Sequence, residues 1–177
     1  RRRLRRTFRR DDARDRRAGQ VAHALVDVLL RPSLHAAFVH QHDDRLDAFG
    51  AHLQSSYGIT LAYHHHMGAY VESPDDIDRL MALTDPACVG LLFDTGHAYY
   101  GGATDPNALL ARHAKRVVHV HCKDVRPALI AKARNDGWSF LTGVLAGTFT
   151  VPGDGVIDYD AVLGTLHRAG YEGWLVV

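Results

Sequence analysis

Three short stretches of this sequence could bind a cation or move a proton: Tyr63-His64-His65-His66-Met67-Gly68, Phe93-Asp94-Thr95-Gly96-His97 and His119-Val120-His121-Cys122-Lys123-Asp124. Neutral imidazole and carboxylate together suit a divalent transition metal such as Mn2+, Co2+ or Zn2+, whereas an all-oxygen set would suit Mg2+ or Ca2+. A single histidine is more often a solvated loop residue or a satisfied core group than a ligand. Here seven of the 13 histidines fall between residues 61 and 124, six of them at the ends of expected strands, so the set argues for a site that no one member establishes. Asp94 strengthens it. An acid directly behind the apolar run Val89 to Phe93 is costly to bury unless a cation neutralises it. Alternate residues of a strand share a face, so His64 and His66 can point one way and His65 the other, and His119 pairs with His121 in the same manner. Only one of each pair need be a ligand.

Other chemistries find less support. Cys88 and Cys122 show no CxxC spacing and cannot build a disulfide framework, which favours a reducing compartment, the cytoplasm, and disfavours a thiolate zinc site. No GxSxG elbow is present, and Gly153-Asp154-Gly155 lacks the Lys-Ser/Thr of a phosphate-binding loop, so a tight turn is its expected role.

The elements that must position these residues follow from periodicity and capping. Leu46, Phe49, Leu53 and Tyr57 make one helical face that ends at Gly58, and Ile59 to His64 reads as a strand. Ser73-Pro74 followed by Asp75 and Asp76 opens a helix carrying Ile77, Leu80 and Met81. The unit then repeats: strand Val89 to Phe93, a helix opened by Asp105-Pro106 and running through His113, and strand Val117 to His121. Helices are expected over Pro127 to Arg134 and Trp138 to Leu145 and after Asp158, with a last strand from Trp174 to Val177. Alternating strands and helices imply an α/β fold with a parallel sheet, and in such folds chemistry collects where the strands end at their carboxyl termini.

With 177 residues, 46% of them hydrophobic, the chain has one ordinary domain's worth of core, and its longest apolar runs are strand length rather than membrane length. The net charge of +1 is unevenly spread: ten arginines against three aspartates put +7 on residues 1–17, leaving −6 on 18–177. Residues 1–42 are poorly patterned apart from a short helical stretch over Val21 to Leu30, and they read as an Arg-rich arm, disordered or loosely helical, ahead of a domain over 43–177. Deleting residues 1–17 should leave the fold unchanged. The negative balance of the rest argues against nucleic acid as a partner.

The blocks LAYHHHMG (Leu61 to Gly68), GLLFDTGH (Gly90 to His97), VHVHCKDVR (Val118 to Arg126), GWSFL (Gly137 to Leu141), FTVPGDG (Phe149 to Gly155) and GYEGWLVV (Gly170 to Val177) together resemble the inosose dehydratases, within the xylose isomerase-like barrel superfamily. The resemblance covers residues 43–177. It implies part of a (β/α)8 TIM barrel, the carboxyl-terminal half or so, since a whole barrel takes about 250 residues and the first strands have no counterpart in 1–42.

It further implies a divalent metal, Mn2+ or Co2+, with Asp94 and His121 matching family ligands and His64 standing where many relatives have a glutamate. His97 matches a histidine that meets substrate or a second metal, and His97 and Lys123 are the candidates for proton transfer. His66 and Lys123 are expected to touch substrate. A further family ligand, a glutamate, would follow Val177. The reaction implied is loss of water from the polyol ketone 2-keto-myo-inositol, with sugar isomerisation or epimerisation, endonuclease IV-like DNA repair and a non-catalytic remnant as the alternatives. Little activity is expected of these 177 residues alone, and the open sheet edges of a partial barrel invite self-association.

Overall fold

A computed structural model describes the chain from His35, with side chains from Asp44, to Val177. The Arg-rich stretch 1–17 and the helix expected over 21–30 lie outside the described residues. Helix α1 (His35–Tyr57) starts well before the apolar face that signalled it, because neither proline nor a capping signal interrupts residues 35–57. Strand β1 (Leu61–His64), helix α2 (Pro74–Leu83) and strand β2 (Val89–Asp94) follow. At α2 the expected cap is a full capping box: Ser73 Oγ accepts from the Asp76 amide while Asp76 accepts from that of Ser73.

Helix α3 (Thr95–Tyr100), which the periodicity did not reveal, starts immediately after β2, with Asp94 as its N-cap. Then come α4 (Pro106–His113), capped by Asp105, and strand β3 (Val117–His121). The remainder comprises β4 (Asp124–Val125), α5 (Pro127–Asn135), α6 (Phe140–Leu145), β5 (Phe149–Thr150), α7 (Tyr159–Arg168) and β6 (Leu175–Val176). Among the described residues no helix is long and apolar enough to cross a membrane.

Strands β1, β2, β3 and β6 form one parallel sheet in that order, as the alternation of strands and helices requires. Its two faces differ. Leu91, Phe93 and Val120 join Ile77, Leu80, Leu109, Leu110, Val162 and Leu166 in the apolar layer between sheet and helices, where burial of each large side chain contributes about 1.5–3 kcal/mol. In register on the opposite face lie His64 beside Leu92, Leu92 beside His119, and Asp94 beside His121.

Strands β4 and β5 form a separate antiparallel ribbon that was not expected from the sequence. It is locked to the loop behind it by Asp124, whose buried carboxylate accepts from the amides of Val125, Gly153, Gly155, Val156 and Ile157. A Cβ at Gly155 would lie 2.2 Å from Asp124 Oδ1, so only glycine lets that backbone come close enough to donate. The Gly153-Asp154-Gly155 segment is thus a turn held by a carboxylate.

Candidate metal centre

Asp94 is the hub of the strand-end cluster. It ends β2 fully buried, and its two oxygens have separate duties. Oδ1 accepts from the His97 amide at 2.9 Å and so caps α3. Oδ2 faces the polar cluster: His121 Nδ1 lies 3.3 Å away, His64 Nε2 3.5 Å and His97 Nε2 4.0 Å, and the Lys123 ammonium donates to it directly.

His64, Asp94 and His97 each offer a ligand atom, and the three atoms lie within 4.8 Å of one another. The His64 Nε2 is buried without a hydrogen bond among the described residues, which leaves its lone pair available. A divalent cation fits this donor set, one carboxylate oxygen ringed by imidazole nitrogens. His121, in register with Asp94, lies outside that group of three, and its ring centroid is 5.0 Å from that of His64.

The electrostatics favour the metal-ready forms. Burial pushes the Asp94 carboxyl up, but the His121 and His64 imidazoles beside it and the fields of His97 and Lys123 outweigh it and hold the group well below the usual carboxylate range. Desolvation lowers the pKa of His64 and drives that of His97 down to about 2. Both imidazoles are therefore neutral at pH 7, as ligation requires.

The remaining histidines divide as the strand alternation indicates. His65 points to the apolar layer, fully buried with its ring 5.5 Å from that of Phe93, and its Nε2 accepts from the Asp94 amide at 3.2 Å. His66 turns back to the cluster, its ring 3.7 Å from that of His97. Because the Met67 carbonyl can only accept, the 2.7 Å contact puts the hydrogen on His66 Nδ1 and leaves Nε2 as an acceptor. His119, on the same face as His121, is buried deeper in the sheet.

Two groups escaped the sequence reading. Phe140, from the start of α6, and Phe149, from β5, wall the imidazoles, with centroids 4.8 Å from His66 and 5.0 Å from His97 respectively. Thr95 Oγ1 donates to the Lys123 carbonyl at 2.7 Å and meets the Tyr159 hydroxyl at 2.8 Å, tying α3, the turn after β3 and α7 together. Nothing in the local pattern marks these contacts, since each joins residues more than 25 positions apart.

Known proteins have related sequences. The chain is 53% identical over 127 residues to the rhizopine catabolism protein MocC of Rhizobium meliloti, which covers 72% of this chain and 38% of that protein. It is 47% identical over 125 residues to the inosose dehydratase of Clostridium botulinum, covering 71% of this chain and 42% of the relative. The chain thus spans about two fifths of the length of the curated relatives it matches. Among solved structures, the IOLI protein with a bound zinc atom superimposes with a TM-score of 0.57 at 19% identity, over 85% of this chain and half of the other. The family model for the xylose isomerase-like TIM barrel matches residues 16–177, which agrees with the parallel sheet, the partial extent and the polar strand ends, and the chain belongs to that family.

Proposed function

We propose that this chain carries the metal-binding and proton-transferring part of an inosose dehydratase, which removes water from 2-keto-myo-inositol during inositol catabolism in the cytoplasm. The observation that carries this reading is the convergence of His64, His97, His121 and Lys123 on one buried oxygen of Asp94. Identity near one half to proteins named inosose dehydratase supports the substrate, and the zinc of the IOLI protein supports a divalent cation.

His64, Asp94 and His121 would hold the ion, Mn2+ or Co2+, which such a mixed nitrogen and oxygen set suits. Bound there, it supplies Lewis acidity that drains electron density from the ketone and acidifies the neighbouring C–H bond. The chain's own groups do the rest. His97 is kept neutral by burial, which makes it no acid at pH 7 and only a weak base in the metal-free chain. Lys123, a cation one-third exposed at the mouth of the cluster, is a proton donor.

His97 and Lys123 are the two groups placed for proton transfer: the proton α to the ketone is taken up and the Lys123 ammonium delivers one to the β-hydroxyl, so a C–H and a C–O bond break, a C=C bond forms and water departs. His66 Nε2 can accept from a substrate hydroxyl, and the Phe140 and Phe149 rings keep bulk water off the imidazoles. Incubating the chain with 2-keto-myo-inositol and Mn2+ or Co2+ and identifying the product tests this. Formation of the trihydroxycyclohexane-dione, lost in Asp94→Asn, supports it; an epimer or isomer as product, or a variant as active as the parent, overturns it.

A further inference from the structure

Lys123 does more than stand near the candidate metal centre. Its ammonium donates to Asp94 Oδ2, the oxygen that faces the imidazoles, and lies 3.5 Å from His121 Nδ1, so it touches two of the three atoms assigned to the ion. Asp94 is the only carboxylate among the donors that the described residues bring together there. One carboxylate can balance one ammonium. A dication placed beside that ammonium would instead meet a like charge within a few ångströms, in a buried site where screening is weak.

The Lys123 side chain is 34% exposed although Asp94 is fully buried. The lysine therefore reaches the carboxylate from the solvent side and can leave by the way it came. Its backbone is held independently of its head group, since the Lys123 carbonyl accepts from Thr95 Oγ1. The head can move while the turn stays.

From this geometry we infer that Lys123 is a displaceable internal counter-ion: it neutralises Asp94 in the metal-free chain, and an incoming divalent cation expels it toward the mouth of the site. This inference rests on the metal reading above and extends it. Expulsion separates the ammonium from Asp94, its charged partner, so metal entry itself releases the proton donor toward bound substrate. The lysine also sets a threshold, because only a cation that outcompetes an ammonium for Asp94 is retained.

Two measurements on the full chain test this. In the first, Zn2+ and Mn2+ affinities are compared for the parent and Lys123→Met, which keeps the stem and removes the charge. Loss of a charge-assisted competitor should tighten binding about tenfold or more. Equal or weaker binding by a folded variant overturns the inference while leaving the metal reading intact. Binding by neither protein overturns both.

The second measurement needs no variant. The sequence has only three lysines, Lys115, Lys123 and Lys132, so acylation by a soluble active ester can be followed at each by mass spectrometry. Adding Mn2+ or Zn2+ should raise the reactivity of Lys123 several-fold against the other two. Unchanged or reduced labelling of Lys123 under saturating metal overturns the displacement.

Discussion

Asp94 and His121 stand opposite each other across β2 and β3 because the register of these strands shifts between Leu91 and Leu92. Leu91 is paired with Val117, yet Leu92 is paired with His119, so Val118 is skipped. Without that shift Asp94 would face Val120, and His121 would fall out of line with it. Gly90 makes the shift possible: a Cβ there would come within 2.6 Å of a Val118 methyl.

We expect Gly90→Val to destabilise the chain by about 1–3 kcal/mol and to weaken metal binding, with Gly90→Val/Val118→Ala recovering much of both. Denaturant unfolding and metal titration of the single and double variants check this. A double variant no better than the single one would show that the glycine serves some other contact.

Asp94→Asn should weaken Mn2+ or Zn2+ binding by more than the roughly 10–100-fold typical of losing an outer partner of a metal site. His121→Ala should also weaken it, and His97→Ala should spare affinity if His97 handles the proton rather than the ion. Isothermal titration separates the two histidines. Equal losses at both would move His97 into the ligand set, a place its position relative to His64 and Asp94 permits.

Asp124→Ala should be among the most damaging changes far from the cluster. It strands five backbone amides on one buried oxygen pair, and orphaned buried donors cost about 1–3 kcal/mol each where water cannot reach them. Early proteolysis within residues 151–157 and a stability loss of at least about 2 kcal/mol are expected. A variant with parent-like stability would mean that the loop finds other acceptors.

Acid should unfold the metal-free chain through its buried imidazoles. Burial pushes His65 down to about 3 from an ordinary 6.5. Between those values the unfolded chain binds a proton that the folded chain refuses, so the contribution is fully present above about pH 6.5 and is lost as pH falls toward 3. His65→Gln, which keeps an acceptor for the Asp94 amide, should flatten the decline in stability measured in chelator from pH 7 to 4. An unchanged slope would acquit His65.

The sequence by itself determined whatever is decided within a few residues. Ser73-Pro74, Asp105 and Asp158 announce helices because the caps they form bond to amides two or three positions ahead. Val89 to Phe93 announces a strand buried on both faces by its unbroken apolar run, and the polar residues that close each strand mark where chemistry would gather.

Tertiary structure alone decided the rest, because each remaining feature belongs to a pair rather than to a segment. The Gly90–Val118 fit that puts His121 opposite Asp94, the Asp124 clasp on residues 153–157, and the Lys123 ammonium on Asp94 Oδ2 all join positions 28 to 33 residues apart. A local pattern can say that a lysine lies near a strand end. Only the packing of β2 against β3 brings its charge onto the oxygen that a metal would use.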